Sequence, residues 1–158
     1  MSNLQQVARN EQIQLAPMIE EIFTDLAPLA EKNGITLKVE GDGSMTGSDA
    51  LIYRLLFNLT ENAVKYNSPG GSVQITVAQE PEKLLIRVSD TGRGIPEEYQ
   101  RSIFQPFFRV DKSRSREYGG AGLGLSLVWE ITNLHGGSVW VEESSDKGTT
   151  IAVELPMQ

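Results

Sequence analysis

The sequence predicts an α/β fold, a two-layer α/β sandwich in which a mixed, mostly antiparallel sheet of about five strands packs on three helices. Three observations lead to this prediction. Several segments repeat apolar residues at three- and four-residue steps, which is typical of helices with one buried face. Other segments alternate apolar and polar residues, which is typical of strands with one buried face. Short links join neighbouring alternating segments, and such links favour antiparallel hairpins.

The composition is that of one domain of ordinary size. The 158 residues are 39% hydrophobic and 22% charged, and no apolar run approaches the length of a membrane helix. We expect residues 1–10 to be a linker or the end of an upstream helix, and residues 11–158 to form the domain. The absence of cysteine excludes a disulfide framework and thiolate zinc sites. A formal net charge of −7 argues against nucleic acid as the main partner.

The first elements follow from local signals. A short strand is predicted over residues 12–15. A helix is predicted over residues 17–34, because a proline stands at its start and an Asn-Gly pair at its end. Residues 35–40 alternate and predict a strand with one buried face. Residues 41–47 are predicted to form a loop.

The central helix is predicted to begin after Ser48, a good N-cap residue, and to stop before the Ser-Pro-Gly-Gly sequence at 68–71. Its apolar face consists of Ile52, Leu55, Leu59 and Ala63. A polar stripe lies beside that face and consists of Asn58, Asn62 and Lys65. Such a stripe is where a helix would line a ligand cleft, although a solvated face is the commoner explanation. Two asparagines favour the cleft, because Asn is a poor residue for a helix interior.

A hairpin and a loop follow the central helix. Strands are predicted over residues 72–79 and 83–89, and the three-residue link between them makes the pair antiparallel. The second strand runs into a glycine-containing loop at residues 90–96. A short helix is predicted at about residues 97–103.

The last third of the chain contains a long segment without periodicity. Residues 104–118 lack a repeating apolar pattern, which is typical of a functional lid or a disordered segment. A glycine-rich run then opens a helix, and together they occupy residues 119–134. Residues 138–143 and 149–155 alternate and predict a closing hairpin.

Three clusters carry candidate binding chemistry, and each is a weak signal on its own. Asp90 stands at a strand end before Gly92 and Gly94, where a buried carboxylate could accept hydrogen bonds from the exocyclic amine of adenine. The glycines of residues 119–124 stand at a helix start, where exposed backbone N–H groups favour phosphate. Basic residues that could bind an anion, or simply be solvated, are Arg109, Lys112, Arg114 and Arg116.

The order of these clusters resembles that of the ATP-binding domain of bacterial sensor histidine kinases, in the Bergerat-fold (GHKL) superfamily. Five segments carry the resemblance, which extends from about residue 11 to the end of the chain. They are similar to the family's N box (58–66), first glycine box (90–95), F box (104–109), second glycine box (120–125) and final Gly-Thr element (147–150). The resemblance implies the Bergerat ATP-binding fold.

The resemblance also implies roles at the adenine end of a nucleotide site. Asp90 would hold the adenine amine, and Thr149 would help through a water molecule. Ile95 and Leu123 would pack near the base. The glycines of the two boxes that would shape the site are Gly92, Gly94, Gly120, Gly122 and Gly124.

At the phosphate end, the resemblance implies ATP with Mg²⁺ as its cofactor. Asn62 would supply an amide oxygen to the ion, which prefers oxygen ligands. Lys65 and Tyr66 would reach the phosphate or ribose. Arg109 and Lys112 would neutralise the terminal phosphates during transfer, which relies on positioning and electrostatics. Arg114 and Arg116 are interpreted as solvated charges.

Asn58 distinguishes the kinases from the hydrolytic members of the superfamily. Those members have a glutamate at this position as the general base for water, and an amide cannot take up a proton in that way. The sequence therefore favours transfer of the ATP γ-phosphate to a separate nucleophile. The candidate catalytic residues are Asn58, Lys65 and Arg109.

The acceptor of that phosphate is expected outside this chain. His135 is the only histidine, and it is interpreted as a cap that suits the dipole at a helix C-terminus. The implied partners are the dimerisation and phosphoacceptor domain of the same kinase and, through it, a response regulator receiver domain. Contact with membrane or nucleic acid is not expected, and the domain is expected to be a cytoplasmic part of a membrane-bound sensor.

Two alternatives remain open. An anti-sigma-type serine kinase has a similar length, although Asn58 and the long 104–118 segment argue against it. A nucleotide-binding scaffold without transfer activity is the other alternative. A degenerate site of that kind would usually have lost one of the residues assigned above.

Overall fold

The computed structural model describes residues 8–105 and 125–156, in which a five-stranded sheet packs against three α-helices. The helices are α1 (Leu15–Asn33), α2 (Asp49–Lys65) and α3 (Ser126–Leu134). The strands are β1 (Glu11–Gln14), β2 (Thr36–Gly41), β3 (Ser44–Gly47), β4 (Ser72–Gln79), β5 (Lys83–Asp90), β6 (Ser138–Ser145) and β7 (Gly148–Pro156). Two single 3₁₀ turns, at Glu97–Tyr99 and Ser102–Phe104, replace the short helix predicted there.

The sheet has the order β2-β4-β5-β7-β6. Its β2–β4 pair is parallel and its other pairs are antiparallel. The predicted two-layer sandwich with a mixed, mostly antiparallel sheet is therefore confirmed. None of the helices in residues 8–105 and 125–156 is long and apolar enough to cross a bilayer.

The helix ends show how local signals and distant contacts combine. The Ser48 side chain accepts a hydrogen bond from the Leu51 N–H at 3.3 Å and caps α2, as predicted. The α1 helix ends before Gly34, which has a φ of 70°, also as predicted. It begins two residues earlier than predicted, because Asp42 Oδ1 accepts a hydrogen bond from the Ala16 N–H at 3.0 Å. The cap of this helix is thus 26 residues away in sequence.

The prediction of a loop over residues 41–47 was wrong for its second half. There β3 pairs antiparallel with β1 and forms a small second sheet. Ile13 of β1 and Met45 of β3 are adjacent in register and buried. The β1 strand lies one residue before the short strand predicted over residues 12–15. The β3 strand has four residues and one large buried apolar side chain, so it shows no alternating pattern long enough to predict it.

The core lies between the sheet and the helices. The predicted apolar face of α2 is buried along its length, including Ile52, Leu55, Leu59 and Ala63. The β4 and β5 strands contribute alternate buried residues: Val73, Ile75, Val77, Leu84, Ile86 and Val88. Because α2 lies with this face against the sheet, its neighbouring polar stripe is brought to the edge of the core.

Candidate nucleotide-binding site

A pocket lies where α2 passes the end of β5 and the start of β7. Its lining is largely apolar and includes a few polar side chains, a combination that is typical of small-molecule sites. The lining residues are Leu59, Asn62, Ala63, Tyr66, Val88, Asp90, Gly94, Ile95, Leu125, Thr149 and Ile151. The structure thus brings six of the residues assigned from sequence into one pocket.

Asp90 is the last residue of β5 and is paired in register with Thr149 of β7. Its Oδ1 accepts hydrogen bonds from the Gly92 N–H at 2.9 Å and the Thr149 N–H at 3.2 Å. Burial raises the pKa of the carboxyl above its ordinary value, and the two N–H groups partly offset that rise. Since Oδ1 takes both backbone bonds, Oδ2 is the oxygen available to a ligand.

The glycines of the turn after β5 make room for protein backbone. A Cβ on Gly92 would lie 2.5 Å from the Tyr66 carbonyl oxygen. Gly94 has a φ of 84°, and a Cβ there would lie 2.1 Å from the Ser145 carbonyl oxygen. From the sequence, Gly92 and Gly94 were expected to shape the nucleotide site. In the structure they first allow the turn to pack between the end of α2 and the β6–β7 hairpin.

The polar stripe of α2 is only partly in the pocket. Asn62 and Tyr66 line it, and burial together with the Glu61 carboxylate raises the pKa of Tyr66. Asn58 lies one turn earlier, is half-buried, and does not line the pocket. Lys65 is exposed, and its Nζ lies 3.9 Å from Glu61 Oε2. Its predicted contact with phosphate would require this exposed side chain to turn to the ligand.

Two hydroxyl contacts at the site were not predicted. Ser144 Oγ accepts a hydrogen bond from the Ile95 N–H at 2.8 Å and lies 2.8 Å from Thr149 Oγ1. Thr91 Oγ1 accepts from the Ser72 N–H at 2.9 Å and donates to Asn67 Oδ1 at 3.0 Å. The contacts of Ser144 with Ile95 and of Thr91 with Ser72 and Asn67 join segments that are distant in sequence, so no local pattern could have indicated them.

The remaining predicted site residues lie outside the described parts of the chain. These are Arg109, Lys112, Gly120, Gly122, Leu123 and Gly124, together with Arg114, Arg116 and the predicted start of the last helix. Their roles stay predictions.

His135 lies at the other end of α2 from the pocket. Its Nδ1–H donates to the Ile131 carbonyl at 2.9 Å, and its Nε2 accepts from the Ser48 N–H at 3.1 Å. An accepting Nε2 requires a neutral ring, and burial lowers the pKa of His135. The predicted cap of the helix C-terminus is therefore present, but it acts as a neutral hydrogen-bond donor. The interpretation as a cap is therefore correct, and the contact is made by a neutral N–H group rather than by a charge that suits the dipole.

A larger groove, of about 470 Å³, lies on another side of the molecule, beside α3 and β6. Its lining includes Phe104, Trp129 and Trp140, and Trp129 is 48% exposed. Arg101 is the one charged residue among the described residues that line it. Within residues 8–105 and 125–156, its lining includes no carboxylate and none of the residues assigned to nucleotide binding.

Comparison with known proteins identifies the family. Residues 47–158 match the model described as histidine kinase-, DNA gyrase B-, and HSP90-like ATPase. The sensor histidine kinase RppB of Synechocystis sp. is 38% identical over 139 residues, which are 88% of this chain and 31% of that protein. The chain therefore spans about a third of the length of this curated relative.

Solved structures give the same family. The catalytic domain of histidine kinase ThkA matches with a TM-score of 0.82 at 28% identity, covering 94% of this chain and 96% of that one. A second structure, of ThkA in complex with response regulator protein TrrA, matches with a TM-score of 0.77 at 25% identity, covering 94% of this chain and 42% of that one. The chain belongs to the family of histidine kinase-, DNA gyrase B- and HSP90-like ATPases, and within it to the ATP-binding catalytic domains of sensor histidine kinases.

Proposed function

We propose that this domain binds Mg-ATP in the pocket between α2 and the end of β5, and transfers the γ-phosphate to a histidine on a separate helical domain of its parent kinase. One observation carries the proposal. Asp90, Asn62, Tyr66 and Thr149, which carry a carboxylate, an amide and two hydroxyl groups, line one mainly apolar pocket. A mainly apolar pocket with a few polar groups suits a purine base.

At the adenine end, Asp90 Oδ2 accepts a hydrogen bond from the exocyclic amine. The base packs between Ile95 and the apolar residues of α2. Guanine has a carbonyl oxygen where adenine has its amine, and a carboxylate cannot donate to it. The arrangement therefore favours adenine over guanine.

The donor set fits a magnesium ion held jointly with phosphate. Within residues 8–105 and 125–156, no group of three or more His, Cys, Asp or Glu side chains could hold a metal. Asn62 offers an amide oxygen at the pocket, and Mg²⁺ commonly takes one or two protein oxygens together with phosphate oxygens and water. When bound, the ion would neutralise charge on the phosphates.

The transfer step uses a nucleophile from another domain. Its imidazole nitrogen attacks the γ-phosphorus, a new P–N bond forms, the bond to the β-phosphate oxygen breaks, and ADP leaves. Asn58 supplies no base for water, so hydrolysis is slow. Arg109 and Lys65 bind charge on the phosphates, and Arg109 acts mainly on the charge that develops in the transition state.

The parent protein supplies the partners. We infer that residues 1–10 join this domain to a dimerisation and phosphoacceptor domain, and that the phosphate then passes to a response regulator receiver domain. The relatives that support this inference are RppB, which is named as a sensor histidine kinase, and ThkA, which has been solved with a response regulator. We also infer that the domain works on the cytoplasmic side of a membrane-bound sensor.

The test is phosphate transfer by the purified chain. Alone it should bind Mg-ATP, hydrolyse it very slowly and fail to label itself, His135 included. With the phosphoacceptor domain of its parent it should label that domain's histidine. Arg109→Ala should lower the transfer rate much more than the affinity for ATP.

Three outcomes would contradict the proposal. Rapid multiple-turnover hydrolysis by the chain alone would favour an ATPase. Labelling of a serine on a regulatory protein would favour the anti-sigma-type kinase. ATP binding without transfer to any acceptor would leave a nucleotide-binding scaffold.

A further inference from the structure

We propose that Ser144 is a positioning residue that orients the Thr149 hydroxyl toward adenine N1 and so contributes to the selectivity of the pocket. This inference rests on the proposed function, because it assigns a role at the same nucleotide site. Ser144 lies in β6, next to the pocket but not in its lining. Its hydroxyl contacts two residues that do line the pocket, Ile95 and Thr149.

A register shift in the β6–β7 hairpin brings Ser144 to this position. Val141 pairs with Ile151, but Glu143 pairs with Thr150, so β6 has one extra residue between these pairs. As a result Ser144 stands opposite Thr149. Without the extra residue, Glu143 would stand there. Bulges of this kind re-aim side chains beside functional sites.

The hydrogen-bond capacity of Ser144 favours one direction for the contact with Thr149. A serine hydroxyl has one proton to donate and can accept two hydrogen bonds. Ser144 Oγ accepts from the Ile95 N–H and lies 2.8 Å from Thr149 Oγ1, a contact in which either hydroxyl could donate. Donation by Ser144 would pair its one proton with Thr149 Oγ1 while Ser144 Oγ still accepts from Ile95. When Ser144 donates in this way, the Thr149 proton remains available to a ligand.

A donor at Thr149 complements adenine. Asp90 accepts from the exocyclic amine, and the neighbouring ring nitrogen N1 of adenine is an acceptor. Thr149 can donate to N1 directly or through one water molecule. Guanine has an N–H at N1, so the same donor would oppose it.

Ser144 also helps to fix Ile95, which forms the wall of the pocket on which the base packs. The Ile95 N–H donates to Ser144 Oγ, and the Ile95 carbonyl accepts from Gln100 Nε2 at 2.9 Å. Both peptide groups of Ile95 are therefore held by side chains. A wall held in this way loses less conformational freedom when a ligand binds.

The experiment compares ATP with its 1-deaza analogue, in which C–H replaces N1. Calorimetry with the Mg²⁺ complexes of both nucleotides would be carried out on Ser144→Ala, Ser144→Thr and Ser145→Ala. Ser145 is exposed, and its hydroxyl accepts a hydrogen bond from the Lys147 N–H within its own turn, so Ser145→Ala is the matched control. GTP would measure selectivity against guanine.

For Ser144→Ala, we expect the Kd for ATP to rise about three- to tenfold, as for the loss of one neutral hydrogen bond. The Kd for the 1-deaza analogue should rise less, because that ligand makes no contact at N1. The preference for ATP over GTP should fall by a similar factor. Ser144→Thr retains a hydroxyl and should restore most of the affinity, and Ser145→Ala should match the unsubstituted chain.

A role limited to holding the Ile95 wall would weaken both adenine nucleotides by the same factor, and that result would overturn the proposal. An unchanged ATP affinity in Ser144→Ala would also overturn it. Thr149→Val provides a second, independent variant. It should lower the ratio of the affinity for ATP to the affinity for the 1-deaza analogue, and an unchanged ratio would count against Ser144 as well.

If the unsubstituted chain binds no ATP, the proposed function fails together with this inference. If the chain binds ATP through Asp90 while Ser144→Ala keeps the original ratio, this inference alone fails.

Discussion

At the scale of single residues, Asp90 shows how one side chain serves both the fold and the ligand. One of its oxygens holds the turn after β5 against β7, and the other is left for the base. Because the carboxyl is partly buried and its pKa is raised, it is more costly to ionise than an ordinary aspartate. A ligand that donates a hydrogen bond to the free oxygen therefore gains a strong contact in a site of reduced polarity.

Asp90→Asn tests the role of the carboxylate oxygen that is available to the ligand. The amide oxygen can still accept from Gly92 and Thr149, so we expect the turn to remain. The amide NH₂ would then oppose the adenine amine, and ATP affinity should fall by about one to two orders of magnitude, while the preference for ATP over GTP should disappear. Isothermal titration would measure both effects. Asp146→Asn, which removes an exposed charge in the β6–β7 turn, is the control, and equal ATP affinity in the two variants would refute the assignment.

At the scale of secondary-structure elements, each end of α2 is fixed by side-chain hydrogen bonds to segments that are distant in sequence. At its C-terminal end, Asn67 Nδ2 donates to the Ser72 carbonyl at 2.9 Å, and Thr91 contacts both Asn67 and Ser72. This cluster joins the helix that carries Asn62 to the turn that follows Asp90. The cluster therefore connects the two sides of the pocket.

Thr91→Val removes the hydroxyl from this cluster while keeping the shape of the side chain. The Ser72 N–H and Asn67 Oδ1 would each lose a partner. Because Thr91 is exposed and water can replace part of the loss, we expect the free energy of unfolding to fall by only about 1 kcal/mol. Urea denaturation would measure the change. Thr36→Val, on the exposed edge of β2, should have little effect, and equal losses in the two variants would show that the cluster contributes nothing.

At its N-terminal end, α2 is held through His135, which connects the end of α3 to Ser48. The neutral ring is favoured in the folded protein, so the folded-state pKa lies below the ordinary value of about 6.5. The unfolded chain therefore binds more protons between these two pKa values. The contribution of His135 to stability is present above about pH 6.5 and is lost as the pH falls from there to the folded-state pKa.

We expect the melting temperature of the unsubstituted chain to fall between pH 7.5 and pH 5.5, and His135→Gln to remove much of that fall. His135 is the only histidine in the chain, so no other imidazole contributes in this range. The raised pKa of Asp90 acts in the opposite direction, because protonation of that group is easier in the folded state. Calorimetric scans at the two pH values would test this, and an equal fall in both proteins would exclude His135 as the cause.

At the scale of the whole molecule, the pocket is formed only when both layers of the fold are assembled. Its lining comes from α2, from the end of β5 and the turn after it, from the start of α3 and from β7. Unfolding separates these segments, so a nucleotide that binds here binds only the folded chain. Binding of the nucleotide must then increase the free energy of unfolding.

Mg-ATP at one hundred times its Kd should stabilise the fold by about 2.7 kcal/mol. For a chain of this size, that corresponds to a rise in melting temperature of about 5–10 °C. Thermal unfolding with Mg-ATP, with Mg-GTP and without nucleotide would measure it. An equal rise with Mg-GTP would argue against adenine selectivity, and the absence of any rise with Mg-ATP would argue against the pocket as an ATP site.

Much of the fold and part of the site could be predicted from the sequence, because their signals are local. Helix and strand periods are set by residues within a few positions of one another, and so are the N-cap at Ser48 and the glycine stop at Gly34. The buried face of α2 and its polar stripe followed from the same spacing. Asp90 was identified by its place between an alternating segment and a glycine turn.

Tertiary structure alone decided which of these segments meet. The β1–β3 pair, the Asp42 cap of α1, the neutral ring of His135 and the Ser144–Ile95 contact all depend on which elements are neighbours in the fold. A hydrogen bond between residues far apart in sequence leaves no period in either segment. For that reason the sequence by itself determined the elements and the chemical groups at their ends, and the assembled sheet and helices determined how those groups form one pocket.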